Sequence, residues 1–176
     1  MAKVLIVGIG NPLRGDDGLA WHATQLLERE LRGQDVEIFT CHQLTPDLAE
    51  AASRSGLLVL IDACAEGEPG SLTVQQADLP LPSSSTFTHD FSLSTLLNTS
   101  QSLYGRSPRA TIFTIAAECF PYGSELSPRV SAAIPALVDQ VRKLVSGYQK
   151  DSKSQRKAFR EDSFVKPKTT NFTTIE

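Results

Sequence analysis

The stretch that decides the fold is Val4-Leu5-Ile6-Val7-Gly8-Ile9-Gly10-Asn11-Pro12-Leu13-Arg14-Gly15-Asp16-Asp17-Gly18, followed by an apolar-periodic segment from Leu19 to Leu31. Val4 to Ile9 is an apolar run of strand length, the pattern of a central parallel strand covered on both faces. Glycines, Asn11 and Pro12 then turn the chain. From about Asp17 to Arg32 the spacing predicts a helix, with Leu19, Ala23, Leu26, Leu27 and Leu31 on one side and Glu28, Arg29 and Arg32 on the other. The turn therefore delivers two adjacent carboxylates to the carboxyl end of a strand, where open α/β sheets keep their sites.

The remaining chain repeats this alternation. Asp35 to Thr40 reads as a second strand, and Pro46 to Arg54 as a short helix with Thr45 as its N-cap. Leu57 to Asp62 reads as a third strand and Ser71 to Gln76 as an edge strand. Leu79 to Thr86 reads as a surface loop ending at His89-Asp90, and a helix follows over Phe91 to Leu103. Arg109 to Ala117 is a fifth strand. Ser127-Pro128 opens a last helix in which Pro135 predicts a kink or a late start. Strands alternating with helices give an α/β class, a three-layer α/β/α sandwich with a five-stranded, mostly parallel twisted sheet.

Composition bounds the function. The 176 residues suit one domain, and 40% hydrophobic content supplies a core without staples. Cys41, Cys64 and Cys119 are odd in number and lack C-x-x-C spacing, so neither a disulfide framework nor a zinc cage is expected, and a reducing, cytoplasmic setting fits. Met1-Ala2-Lys3 leads directly into a strand, without a secretory segment or a run of membrane-spanning length, and no membrane association is expected. Residues 1–148 hold ten Lys/Arg against sixteen Asp/Glu, while residues 149–176 hold seven against four. An acidic body repels phosphate, so nucleic acid is not an expected partner. The division predicted is a single domain over 1–148 and a flexible basic tail over 149–176, poor in aliphatic residues.

The spacing G-x-G-N-x-x-x-x-D-D/E-G, filled by Gly8, Gly10, Asn11, Asp16, Asp17 and Gly18, resembles the opening motif of the hydrogenase maturation proteases, endopeptidases that trim the large subunit of nickel-iron hydrogenases. Ile61-Asp62-Ala63 and His89 reinforce the likeness, which extends in register from Lys3 to Gln149. It implies an aspartic-type endopeptidase that removes a short C-terminal extension from the nickel-loaded large-subunit precursor. Asp17 and Asp62 carry catalysis on this resemblance, and Asp17, Asp62 and His89 form a nickel-contacting set. The nickel is presented by the precursor, the protein's expected partner, rather than permanently bound, and a monomer is expected. His42-Gln43-Leu44, at the end of the second strand, resembles the type serving bidirectional, NAD-linked hydrogenases and implies a substrate contact; an ordinary strand-to-helix loop is the competing reading.

Residue chemistry weighs each element independently. Carboxylates at a helix start commonly cap free amides, so one of Asp16 and Asp17 is expected to do so, leaving the other for chemistry. A charged group at the tip of a buried strand is costly unless it serves a site or is locally hydrogen-bonded, which marks Asp62. If the first and third strands are neighbours, Asp17 and Asp62 converge. Two carboxylates and an imidazole suit a borderline divalent ion. Cys119 invites a thiol-nucleophile reading, with packing favoured, and His22 reads as helix surface. A dinucleotide fingerprint would need glycine where Leu13 stands and an acid where Cys41-His42 stand, so a nucleotide-binding module is the weaker alternative, beside a non-catalytic nickel-binding chaperone.

Overall fold

The computed structural model describes residues 3–77 and 92–162. Five strands, β1 (Val4–Ile9), β2 (Val36–Cys41), β3 (Leu57–Cys64), β4 (Leu72–Ala77) and β5 (Arg109–Ala116), form one sheet in the order β2-β1-β3-β5-β4. All neighbours are parallel except β4, which lies antiparallel on β5 at the edge. The α-helices are α1 (Leu19–Glu30), α2 (Leu48–Arg54), α3 (Leu93–Tyr104) and α4 (Pro128–Asp162). The expected three-layer arrangement is present.

Side-chain alternation along the strands assigns the helices to faces. Val4, Ile6, Leu57, Val59, Ile61, Phe113 and Ile115 pack with Leu19, Ala23 and Leu27 of α1 and with Val130, Leu137, Val138, Val141 and Val145 of α4. The opposite residues, Leu5, Val7, Ile9, Leu58, Leu60 and Ile112, pack with α2 and α3 through Leu48, Ala52, Leu93, Leu96 and Leu97. Both faces of the central strands are thus apolar, which explains why β1 and β3 read as unbroken hydrophobic runs. Gly8 serves this packing directly, since a Cβ there would lie 2.9 Å from Thr24 Cγ2 and 3.1 Å from the Ala20 carbonyl oxygen. α1 can approach β1 closely only because that side chain is missing.

Connectivity then creates a crevice. β1 leads through α1, on one face, to β2; β2 leads through α2, on the other face, to β3 on the far side of β1. Successive connections diverge from β1 to opposite faces, leaving an opening at the carboxyl ends of β1 and β3, the usual ligand position in an open α/β sheet.

Several boundaries differ from the sequence expectation. A 3-10 turn, Gly15–Gly18, precedes α1, which starts at Leu19, and α1 has no side-chain cap. α2 begins at Leu48 after Asp47, because Thr45 and Pro46 form a turn whose carbonyls accept the Leu48 and Ala49 N–H groups. Leu26, assigned to the apolar stripe of α1, is 37% exposed. α4 starts at Pro128, ahead of Pro135, and continues past residue 148 to Asp162, so the first half of the expected tail prolongs the helix. Residues 163–176 and the expected loop over Leu79 to Thr86 lie outside the described residues. No helix among the described residues is long and apolar enough to cross a membrane.

Candidate active site

The two adjacent aspartates have opposite fates. Asp16 is 0% exposed, and its carboxylate accepts hydrogen bonds from three backbone N–H groups: Glu118 at 2.8 Å, Cys119 at 3.2 Å and Ser127 at 2.7 Å. Burial alone would raise its pKa, but these donors outweigh burial and hold it below the ordinary carboxylate value. The N-terminal turn is thereby tied to the loop after β5 and to the entry of α4, where Ser127 Oγ accepts the Val130 N–H. Backbone bonds complete the join, with Gly15 N–H donating to the Gly123 carbonyl and Gly123 N–H to the Leu13 carbonyl. Asp16 therefore does not cap its own helix, contrary to the expectation for this pair; it secures a different one.

Asp17 faces the crevice and is partly exposed, with its Oδ2 accepting the Asn11 N–H at 2.9 Å. Asp62 is the sixth residue of β3 and lies on the same face as Leu58 and Leu60; its Oδ1 accepts the Ala63 N–H at 2.8 Å. The parallel pairing of β1 with β3 brings the two acids to one rim. Burial, partly offset by the Ala63 N–H, together with the charge of Asp17 pushes the Asp62 carboxyl up to about 7. Asp17 is near enough for its charge to act on Asp62. Each carboxylate keeps one oxygen without a hydrogen-bond partner among the described residues.

Two oxygen donors of this kind fit a divalent cation whose other ligands come from elsewhere. His89, the third expected ligand, lies outside the described residues, and among those described no group of three or more His, Cys, Asp or Glu side chains could hold a metal ion.

No protein-family model matches the chain, and no curated protein matches it significantly. Solved structures do match. The hydrogenase maturating endopeptidase HybD from E. coli superposes with a TM-score of 0.70 at 23% identity, over 82% of this chain and 93% of that one. A [NiFe] hydrogenase maturation protease, HycI, from Thermococcus kodakarensis KOD1 gives 0.67 at 21%, over 82% and 93%. A hydrogenase 2 maturation peptidase from a Thaumarchaeota archaeon gives 0.61 at 23%, over 81% and 97%. The chain has the hydrogenase maturation protease fold.

Within this fold, the end of β2 lies next to that of β1, on the side away from β3. His42 and Gln43 are exposed, and the His42 ring lies 6.3 Å from that of Trp21. Leu44, grouped with them from sequence as a substrate contact, is instead 5% exposed and packs in the α2 and α3 core, since the chain must re-enter the interior to start α2. The sequence reading missed Cys41. Burial, then the charges of Asp47 and Asp62, push its thiol up to about 11, so it stands protonated beside the crevice and is a poor nucleophile. Cys119 is exposed, and its backbone N–H helps to anchor the buried Asp16. Asn11 and Trp21 were also missed as site residues, because hydrogen bonds to backbone atoms leave no mark in residue spacing.

The geometry also weighs against a nucleotide in the glycine turn. A Cβ on Gly10, at φ 138°, would lie 1.9 Å from the Asp17 carbonyl oxygen, so the protein's own chain fills the space beside this glycine.

Two predictions follow from the acid pair and its anchor. Asp16→Ala orphans three N–H groups and is expected to cost about 3–5 kcal/mol at neutral pH. The loss is read by urea denaturation, and a change below about 0.5 kcal/mol would contradict the assigned role. Asp62 has a native pKa above its unfolded value of 3.8, so its native state holds the proton longer, and stability falls as pH rises from about 4 through about 7. The ceiling is about 4 kcal/mol. Asp62→Asn should match wild type in thermal melts near pH 4 and exceed it at pH 8; an equal difference at both pH values would show that Asp62 ionises normally.

Proposed function

We propose that this protein is an endopeptidase that removes a short C-terminal extension from the nickel-loaded precursor of a [NiFe]-hydrogenase large subunit, completing its maturation. The observation that carries the proposal is the meeting of Asp17 and Asp62 at the carboxyl rim of β1 and β3, each with a carboxylate oxygen unsatisfied among the described residues. Support also comes from the proteins sharing the fold, which are hydrogenase maturation proteases and endopeptidases.

Nickel is part of the substrate on this reading. The two carboxylates, with His89 as third ligand, engage an ion that the precursor already holds, so the metal marks a precursor ready for trimming. A polarised scissile carbonyl or a carboxylate acting as base on water would then open the peptide bond. His42 and Gln43, exposed beside this crevice, contact the peptide and contribute to the choice of precursor, in keeping with a bidirectional-type substrate. The protein works as a monomer in the cytoplasm, where its three free cysteines suit a reducing medium.

Purified protein mixed with nickel-loaded precursor should shorten the precursor by the mass of its extension and leave nickel-free precursor intact. Asp17→Asn and Asp62→Asn should retain the wild-type circular dichroism spectrum and lose trimming by about 100-fold or more. Normal processing by both variants would refute the assignment. A precursor whose nickel content changes while its mass does not would favour the chaperone reading instead.

A further inference from the structure

Trp21, the chain's single tryptophan, is the third residue of α1 and lies four residues beyond Asp17. Helical side chains lean toward the N-terminus, so the indole is carried back over the turn that precedes its own helix. There its Nε1–H donates to the Gly10 carbonyl oxygen at 2.9 Å. The N–H of that same peptide unit belongs to Asn11, and it is the group that donates to Asp17 Oδ2 at 2.9 Å. The Gly10–Asn11 peptide is planar, so fixing the direction of its carbonyl fixes the direction of its N–H. Gly10 is held from its other side as well, with its own N–H donating to the Cys41 carbonyl at 3.0 Å. Asp17 packs directly on this unit: a Cβ placed on Gly10 would lie 3.4 Å from Asp17 Oδ1.

We propose that Trp21 is a positioning residue for the reaction: its indole N–H orients the Gly10–Asn11 peptide plane, and that plane aims the Asp17 carboxylate into the crevice. The two hydrogen bonds run in series through one amide, so each polarises the other. Loss of the indole donor frees the peptide to rotate and lets the carboxylate swing, without removing any group that touches the substrate. Its consequence for trimming rests on the peptidase reading above, whereas its consequence for the turn does not.

The role is tested in the full-length protein with two replacements. Trp21→Phe removes the donor and part of the ring. Replacing tryptophan throughout with 3-benzothienylalanine, which puts sulfur where the N–H stood, changes this position alone and preserves ring shape. Amide exchange by NMR and kcat and KM on nickel-loaded precursor are then measured. In the benzothienyl protein, exchange at the Asn11 N–H should accelerate about tenfold, as expected for one lost hydrogen bond, while the β1 amides of Leu5 and Val7 exchange as in wild type. kcat should fall about tenfold and KM should change less, since the misaimed carboxylate is only one of several groups that engage the precursor. A wild-type exchange rate at Asn11, or a wild-type kcat, in the benzothienyl protein overturns the proposal, even if Trp21→Phe is impaired or unfolds. If wild-type protein leaves the precursor intact, the peptidase reading falls, and the Asn11 exchange rate still decides whether Trp21 orients the turn.

Discussion

A carboxylate shielded completely from water is tolerated only when its lone pairs are filled, and Asp16 fills them with three backbone N–H groups drawn from two segments more than a hundred residues along the chain. Such charge-assisted bonds are short and directional, so they fix position as well as contribute stability. They join the turn after β1 to the loop after β5 and to the entry of α4. Once Asp16 is turned inward, the next residue along the 3-10 turn faces the opposite way, and Asp17 is delivered to the crevice. Anchoring one acid is what presents the other. Asp16's contribution is complete above its ordinary pKa of 3.8 and is lost as pH falls through the lowered native value.

The crevice itself is a product of topology. β1 stands between β2 and β3, and the connections on either side of it cross opposite faces of the sheet, so that among the described residues they diverge at the carboxyl ends of β1 and β3. Asp62 reaches the same place by strand register alone: it follows five buried residues of β3 and takes the next outward-alternating position on the α2 and α3 face. A strand that is apolar through its covered length and charged at its tip makes its site where cover ends. The resulting proximity of two negative charges is unfavourable in the free protein, and a cation held by a substrate would relieve it.

Much of this was legible in the chain. The apolar runs of β1 and β3, the stripes of α1 and α4 and the edge position of β4 all follow from periodicity and turn residues, and the neighbouring positions of β1 and β3 follow from the alternation of strands and helices. What escaped was set by long-range backbone bonding. That Asp16 would cap α4's entry rather than α1 depends on donors at Glu118, Cys119 and Ser127, which no local spacing announces. Leu44 was grouped with His42 and Gln43 by sequence adjacency alone, whereas the turn at Thr45 and Pro46 begins after the chain has re-entered the core. Helix α4 overruns its apolar stripe because the polar residues after Gln149 continue a helix already nucleated.

The central claim is that Asp17 and Asp62 share one electrostatic environment. It is tested most directly by following the Asp62 side-chain carboxyl carbon by NMR through a pH titration of wild-type protein and of Asp17→Asn. The shared crevice predicts a wild-type midpoint displaced upward toward about 7 and a lower midpoint once the Asp17 charge is removed. Identical midpoints in the two proteins would place the acids in separate environments and contradict the account.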